Sequence, residues 1–332
     1  MRSLARELGV SVATVSFALR DDACIGAAMT ARVKALAAER GYHADPVVAE
    51  GLSRARRRDF HRETVAWLLD RPPQEQFWVE KLFAGAVERG RVLGYQIEFF
   101  VVDFKDQPAL RRVARVWRAR GIRGVLMGPL NQALTDPSLP WDDFSWVTIG
   151  QSLISPALHR VGRDYDKDID LALARLHAQG CRRPGFVDDA AVHHLMKRPL
   201  LRASLEYYHG RPDALPDPFH MVDTAKPAAL AGWLARNRPD SLVMGIGFKE
   251  RAEAIHGLIA RLPQVALSPP YDAEHAEEGF IPGYAGMGQS AMGVLHRVLA
   301  AGEKGVPLHE QTVVVSSGWG VASDGARMTG GR

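Results

Sequence analysis

Apolar side chains in the first twenty residues recur three and four positions apart, which is the spacing of one helix face. Two short helices are predicted, and only Gly9 and Val10 separate them. Ser11 is placed to cap the second helix, because its hydroxyl can accept the free backbone N–H of Thr14. The pattern fits either a helix-turn-helix, whose second helix enters the major groove, or an ordinary helical hairpin. The residues predicted to face inward are Leu4, Ala5, Leu8, Val15, Ala18 and Leu19.

A third helix and a basic segment follow. Residues 29–40 show the same helical spacing, and Gly41 supplies the stop. In the segment 45–58, Pro46 suits the first turn of a helix. The segment ends in a run of four arginines within residues 54–58. It is therefore either a solvated linker or a further short helix.

From Thr64 onward, short apolar runs alternate with amphipathic segments, which predicts strands and helices in turn. Regular alternation of this kind favours parallel sheets with helices on both faces. The helix over 77–93 is predicted to turn Leu82, Ala86, Val92 and Leu93 inward. The predicted strands are 65–69, 95–102, 124–127, 146–149, 184–187, 241–246 and 312–316. The predicted helices are 77–93, 108–120, 168–179, 199–208, 250–262 and 291–301.

The composition places the chain among soluble globular proteins. Its 332 residues are 46% hydrophobic and 24% charged, which is enough for a small domain and a two-lobed one. No apolar run approaches the roughly 20 residues that a membrane helix needs. Cys24 and Cys181 are too few and too far apart for a disulfide framework or a zinc site. We therefore expect a cytoplasmic, reducing location and no membrane partner.

The net charge of +4 is unevenly distributed along the chain. Residues 1–62 hold 11 Lys and Arg against 7 Asp and Glu, whereas the remaining 270 residues hold 31 of each. The whole surplus therefore lies in the segment that contains the predicted helix-turn-helix. Such a surplus fits attraction to phosphates, although solvated surfaces also vary by this amount.

Two glycine patterns resemble nucleotide-binding loops. Gly245-Ile246-Gly247 follows a predicted strand, but Glu250 occupies the third glycine position, where it would crowd the helix and repel a pyrophosphate. Gly286-Met287-Gly288 has suitable spacing but follows no clear strand. We therefore expect no nucleotide cofactor.

Other polar pairs do not form a catalytic or metal site either. His193 and His194 are adjacent, so on a helix they point apart and cannot hold one metal ion together. Asp188 and Asp189 are interpreted as loop carboxylates at the end of a strand. Because no nucleophile motif, phosphate-binding loop or zinc motif is present, we expect a protein that is not an enzyme and carries no metal or cofactor.

Three segments resemble the lac repressor family of bacterial transcription regulators. They read LARELGVSVATVS at 4–16, ARVKALAAERGY at 31–42 and AEGL at 49–52, and a looser resemblance covers nearly the whole chain. The resemblance implies a small all-α helix-turn-helix head and an α/β two-lobed domain with parallel sheets, similar to the periplasmic sugar-binding proteins. It also implies binding to operator DNA as a homodimer.

The domain boundaries follow from this resemblance. The head is expected over 1–44, and a hinge helix or linker over 45–62. The ligand-binding and dimerisation domain is expected over 63–332. Its lobe 1 takes in about 63–155 plus 286–311, and its lobe 2 about 156–285 plus 312–332.

The resemblance also implies which residues contact DNA. A leucine in the unit that matches Ala49–Leu52 opens a base step in the minor groove, with basic side chains on the phosphates. In the second helix, Phe17 replaces a frequent guanine-reading arginine, so it can contact a thymine methyl but cannot bond to guanine. The expected DNA contacts are Val12, Ala13, Thr14, Ser16, Phe17, Arg20, Leu52 and Arg54.

The effector is expected in the cleft, where loops follow the carboxyl ends of the strands. Trp78 either stacks on a sugar ring or is a packed residue at a helix start. At Lys249 the family usually has an aspartate, and because an ammonium only donates, an acidic ligand such as a sugar acid becomes possible. The expected ligand contacts are Trp78, Asp103, Gln151, Arg198, Lys249 and Gln289.

The sequence therefore predicts a ligand-responsive transcription regulator that binds a pseudo-palindromic operator as a homodimer, and a repressor on family grounds. It senses a sugar or a sugar acid. The alternative is a cytoplasmic solute-binding protein with a degenerate head, which Phe17 and an extra residue between Tyr42 and Leu52 favour.

Overall fold

The computed structural model describes residues 2–19, 25–40, 63–72, 77–190, 193–223, 226–245, 255–267 and 278–321. The chain divides into two compact units, Met1–His61 and Arg62–Arg332. Within the described ranges, no helix is both long and apolar enough to cross a membrane.

The first unit contains a three-helix head. Its helices are α1 (Arg2–Leu8), α2 (Val12–Ala18) and α3 (Ala27–Glu39). Gly9 takes a φ of 68°, a left-handed conformation that favours glycine, and this allows the tight turn between α1 and α2. The predicted inward residues are confirmed: Leu4, Ala5, Val15 and Ala18 are buried with Val33 and Ala37, and Leu8, Leu19 and Leu36 pack against them.

The second unit alternates strands and helices, as predicted. Its strands are β1 (Glu63–Leu69), β2 (Tyr95–Val101), β3 (Gly124–Met127), β4 (Leu134–Thr135), β5 (Ser145–Ile149), β6 (Leu153–Ser155), β7 (His159–Arg163), β8 (Pro184–Asp189), β9 (Phe219–Val222), β10 (Ser241–Met244), β11 (Gln264–Ala266), β12 (Glu278–Ile281), β13 (Thr312–Val315) and β14 (Gly318–Val321). Its helices are α4 (Phe77–Leu93), α5 (Gln107–Ala119), α6 (Tyr165–Ala178), α7 (Pro199–Tyr208), α8 (Pro227–Asn237) and α9 (Tyr284–Ala300). A further helical stretch covers 255–259.

The first lobe is built on a six-stranded sheet in the order β13-β7-β5-β3-β1-β2, and all its pairs are parallel. Alternate residues of β1 enter different cores. Trp67 packs towards α4 and α9, whereas Leu68 packs with Trp117 of α5. Both faces of the sheet are therefore covered, which explains why β1 reads as a continuous apolar run.

Two glycines bring α4 and α9 into close contact. A Cβ atom on Gly85 would lie 2.0 Å from the carbonyl oxygen of Ala285, and one on Gly288 would lie 1.9 Å from that of Leu82. The Gly286-Met287-Gly288 pattern therefore lies inside a helix, where Gly288 permits the helix contact.

The second lobe is built on a four-stranded parallel sheet in the order β11-β10-β8-β9. Phe186 packs on one face with residues of α6 and α7, and the neighbouring Val187 packs on the other with Trp233 of α8. The antiparallel pair β12–β14 joins this lobe, since Phe280 and Trp319 pack in the same cluster as Phe186.

Sheet membership corrects the predicted lobe boundaries. Strands β7 and β13 lie in the first sheet, although the predicted lobe 2 began near 156 and included 312–315. The chain therefore crosses between the lobes after Arg163 and after Val315. The predicted inward position of Val92 is also wrong, because this residue is 67% exposed.

Candidate DNA-binding head and interlobe ligand site

The second helix of the head has the predicted cap. The Ser11 hydroxyl accepts a hydrogen bond from the backbone N–H of Thr14 at 3.0 Å, and the two hydroxyl oxygens lie 2.9 Å apart. Val15 and Ala18 are completely buried in the head core. This buried side fixes the orientation of α2 within the head.

The predicted DNA-contacting residues fall into three groups. Thr14 and Phe17 are half-buried. For Val12, Ala13 and Ser16 the structure describes the helical backbone only. Arg20, Leu52 and Arg54 lie outside the described residues, and so does the predicted hinge segment.

An ion pair links the ends of the head. The Arg40 guanidinium, directly after α3, donates to the Glu7 carboxylate on α1, and this pairing raises the pKa of Arg40. Both side chains are exposed, so the pair contributes little stability. It joins the first and third helices around α2.

In the two-lobed unit, Gln151 lies at the carboxyl end of the first sheet, directly after β5 and Gly150. Its side chain lies over β7, because a Cβ atom on Gly162 would be only 3.3 Å from the Gln151 Nε2. The Oε1 atom is buried and has no hydrogen-bond partner within the described part of the chain. A buried acceptor without a partner is costly, so a donor from a ligand would be favourable here.

Arg160 holds the loop that carries Gln151. Its guanidinium donates to the carbonyl oxygens of Gly150 at 2.5 Å and Leu153 at 2.8 Å. Burial lowers the pKa of Arg160 from its ordinary value. Because both bonds flank Gln151, the loop backbone is fixed before any ligand arrives.

Asp70 also lies at this edge and is not among the residues predicted from the sequence. It follows β1 directly, and its carboxylate accepts hydrogen bonds from the Asn131 backbone N–H at 2.9 Å and side-chain Nδ2 at 3.0 Å. The signal was present in the sequence, since Asp70 is the first polar residue after an apolar run. Its carboxylate joins the segments that follow β1 and β3.

Three further predicted ligand residues, Trp78, Asp103 and Gln289, differ in their surroundings. Trp78 is half-buried in the first turn of α4, with its ring 6.0 Å from that of Tyr284. Asp103 is exposed beyond the edge strand β2 and accepts from the Lys105 backbone N–H at 2.9 Å. The expected loop position of Gln289 is wrong, because it lies within α9 and donates to Glu88 of α4 at 2.9 Å.

On the second lobe, Arg198 precedes α7 and is exposed. It and Lys197 both have left-handed backbones, with φ of 59° and 58°. Such conformations are strained for residues with a side chain and cluster at functional sites. Lys249, the other predicted cation, lies outside the described residues.

A buried pair anchors the segment before Arg198. The Nδ1 atom of His193 lies 2.6 Å from the Asp188 carboxylate, and both residues are buried. Burial raises the pKa of Asp188, and the hydrogen bonds from His193 and the Asp189 backbone oppose that rise. Asp188 and Asp189 belong to β8, which corrects their interpretation as loop carboxylates.

The described polar groups suit reversible binding of a small hydrogen-bonding molecule. The described residues contain no group of three or more His, Cys, Asp or Glu side chains that could hold a metal ion. A helix-turn-helix head followed in the chain by a two-lobed parallel α/β domain is the fold of a transcription regulator with a ligand-binding domain.

Comparisons with known proteins agree with this class. The sequence profile of bacterial regulatory proteins of the lacI family matches residues 1–45. The chain therefore has a LacI-family domain at its N-terminus and the fold of LacI-family transcription regulators. Among curated proteins, no sequence matches this chain significantly.

Solved structures share the fold at low sequence identity. The transcriptional regulator CelR–cellobiose complex is 19% identical with a TM-score of 0.53, over 95% of this chain and 96% of that one. The transcription regulator CcpA of Lactococcus lactis is 12% identical with a TM-score of 0.53, over 79% and 99%. The lac repressor dimer bound to operator and the anti-inducer ONPF is 14% identical with a TM-score of 0.50, over 96% of each chain.

Proposed function

We propose that this protein is a cytoplasmic, ligand-responsive repressor that binds a pseudo-palindromic operator as a homodimer. The observation that carries the proposal is the Ser11-capped helix α2, whose apolar face is buried in a LacI-family head. Capping and burial fix the helix, and the residues away from the core are those that would enter the major groove.

The DNA-contacting surface comprises the outward side of α2 and the hinge segment. Phe17 offers an apolar contact to a thymine methyl group, and Arg20 and Arg54 offer charge to the phosphates. Leu52 is proposed to enter the minor groove and open a base step, which costs a few kcal/mol and is repaid by the bend. Val12, Ala13, Thr14 and Ser16 complete the surface.

The effector is proposed to be a sugar or a sugar acid held in the cleft between the lobes. Gln151 supports this, because its buried Oε1 lacks a partner and suits a ligand hydroxyl. Arg198 and Lys249 supply two cations, which favour an acid. Trp78 and Asp103 are the remaining proposed contacts, and Gln289 is left out because it bonds to Glu88. The neighbour bound to cellobiose is consistent with a carbohydrate ligand.

The competing proposal is a solute-binding protein whose head no longer binds DNA. The feature that favours it is Phe17, which cannot form the paired hydrogen bonds that read guanine. A gel shift with the full-length protein and the DNA upstream of its own gene separates the two. A discrete retarded complex that survives an excess of unrelated DNA supports the regulator, and its absence supports the solute-binding protein.

A further inference from the structure

Within the described part of the chain, three crossings join the two lobes. The chain leaves the first sheet after Arg163 at the end of β7 and after Val315 at the end of β13, and it enters α9 from Ile281 at the end of β12. Any change in the angle between the lobes must bend these crossings, since each is a covalent connection between the lobes.

One buried arginine contacts groups at two of the crossings. The Arg163 guanidinium donates through Nε to the Asp168 carboxylate at 2.5 Å and through Nη2 to the Leu267 carbonyl oxygen. Its Cζ atom lies 5.8 Å from the ring centroid of Phe280 on β12 and 5.1 Å from that of Tyr165. Arg163 thus connects the end of the first sheet to the second lobe.

Asp168 brings in the third crossing. It lies in the first turn of α6, and its carboxylate accepts from the Ser317 hydroxyl at 2.8 Å and the Ser317 backbone N–H at 3.3 Å. Ser317 lies between β13 and β14. The backbone N–H of Asp164 also donates to the Val315 carbonyl oxygen at 3.1 Å, which joins the same two crossings directly.

We propose that Arg163 and Asp168 form a clasp that fixes the angle between the lobes. Their side chains are only 3% and 2% exposed, so neither is screened by solvent. A buried ion pair is a poor source of net stability compared with apolar packing, but its directional bonds allow few arrangements. The pair therefore selects one lobe angle out of those that bending at the crossings would permit.

The clasp is distinct from the ligand contacts proposed above, because its polar bonds are made within the protein. It rests on the two-lobed fold and needs no DNA binding, so the two proposals can fail separately. The clasp also couples ligand binding to the lobe angle. A ligand that binds a different lobe angle more tightly must break the Arg163–Asp168 pair to populate that angle.

The test measures the distance between the lobes by pulsed electron paramagnetic resonance on the full-length protein. Nitroxides are attached to cysteines that replace Arg112 of the first lobe and Asp213 of the second, both exposed, in a protein whose Cys24 and Cys181 are replaced by serine and alanine. Labelled chains are diluted with unlabelled ones so that distances within one chain dominate. The parent should give one narrow distribution.

Two variants weaken the clasp by different routes. Asp168→Asn removes the carboxylate charge, and Arg163→Lys keeps the charge but loses the planar group that bonds Asp168 and Leu267 together. We expect each to widen the distance distribution at least twofold. If Asp168→Asn does not fold, Arg163→Lys decides.

Two controls separate the clasp from ordinary loss of stability. Arg118→Lys weakens a matched Arg–Asp pair with Asp143 that lies within the first lobe and is exposed. Leu110→Ala creates a cavity in the first-lobe core, away from the crossings. Both should keep the narrow distribution. A folded Arg163→Lys protein with the parent's distribution would overturn the proposal.

Discussion

Gly288 packs directly against Leu82, so that a Cβ atom on Gly288 would lie 1.9 Å from the Leu82 carbonyl oxygen. The contact is backbone against backbone, and neither helix can yield by rotating a side chain. The close approach of α4 and α9 therefore requires glycine at position 288. The packing on one face of the first sheet depends on that approach.

Gly288→Ala should therefore destabilise the protein, by about 1–3 kcal/mol or more, because the helices must separate. Gly293→Ala is the matched control on the same helix, since no atom lies within 4 Å of its Cβ position. That change should stabilise the protein by about 0.5–1 kcal/mol through helix propensity. Urea unfolding of both variants measures the difference, and equal effects would contradict the contact.

Ser11→Ala should weaken the head, because it removes the acceptor for the Thr14 backbone N–H. The expected loss is about 1 kcal/mol. Hydrogen exchange of the α2 amides in the full-length protein should become faster, with no change in the strands of the second unit. Ser11→Asp keeps a capping oxygen and should restore slow exchange. If Ser11→Ala exchanges like the parent, the cap does not hold α2.

His220 should make stability depend on pH. Burial lowers its pKa, and its ring stacks on Trp233 with centroids 5.4 Å apart. The ordinary pKa of histidine is about 6.5. Just below that pH the unfolded chain binds more protons at this position than the folded chain does, so the free energy of unfolding rises with pH through that region. The parent should gain more stability between about pH 5.5 and about pH 7.5 than His220→Gln does.

Urea titrations at the two pH values test this, with exposed His309→Gln as the control. The control should gain as much as the parent. An equal gain in His220→Gln would show that another group carries the pH dependence.

Sugar acids should raise the melting temperature more than the matched neutral sugars. A ligand that binds only the folded protein stabilises it by about 2.7 kcal/mol at 100 times its Kd. Arg198→Gln should abolish the preference for the acid, whereas Arg202→Gln, one turn further along α7 and also exposed, should keep it. Equal or larger shifts with neutral sugars would exclude an acidic effector.

Local chemistry in the sequence predicted much of this fold. The helix bounds 77–93 and 199–208 agree with the structure, because each helix is bounded by clear changes in polarity or by proline. The Ser11 cap is confirmed because a cap depends only on residues three positions apart.

Features that depend on distant partners were missed. Strand β7 contains His159, Arg160 and Arg163, so it does not read as an apolar run. Its polar residues are buried because distant groups satisfy them, such as Glu303, which lies 2.8 Å from His159. Gln289 was misplaced because the predicted helix began at 291, whereas α9 begins at Tyr284 and packs against α4 along its first turns.

DNA binding by the full-length protein is the central claim, and its salt dependence measures that claim most directly. Retention of genomic fragments should select pseudo-palindromic sites, and their affinity should fall steeply between about 50 mM and about 200 mM salt as phosphate contacts are lost. A protein that retains no genomic fragment in a salt-dependent way, while its head remains folded, would contradict the account.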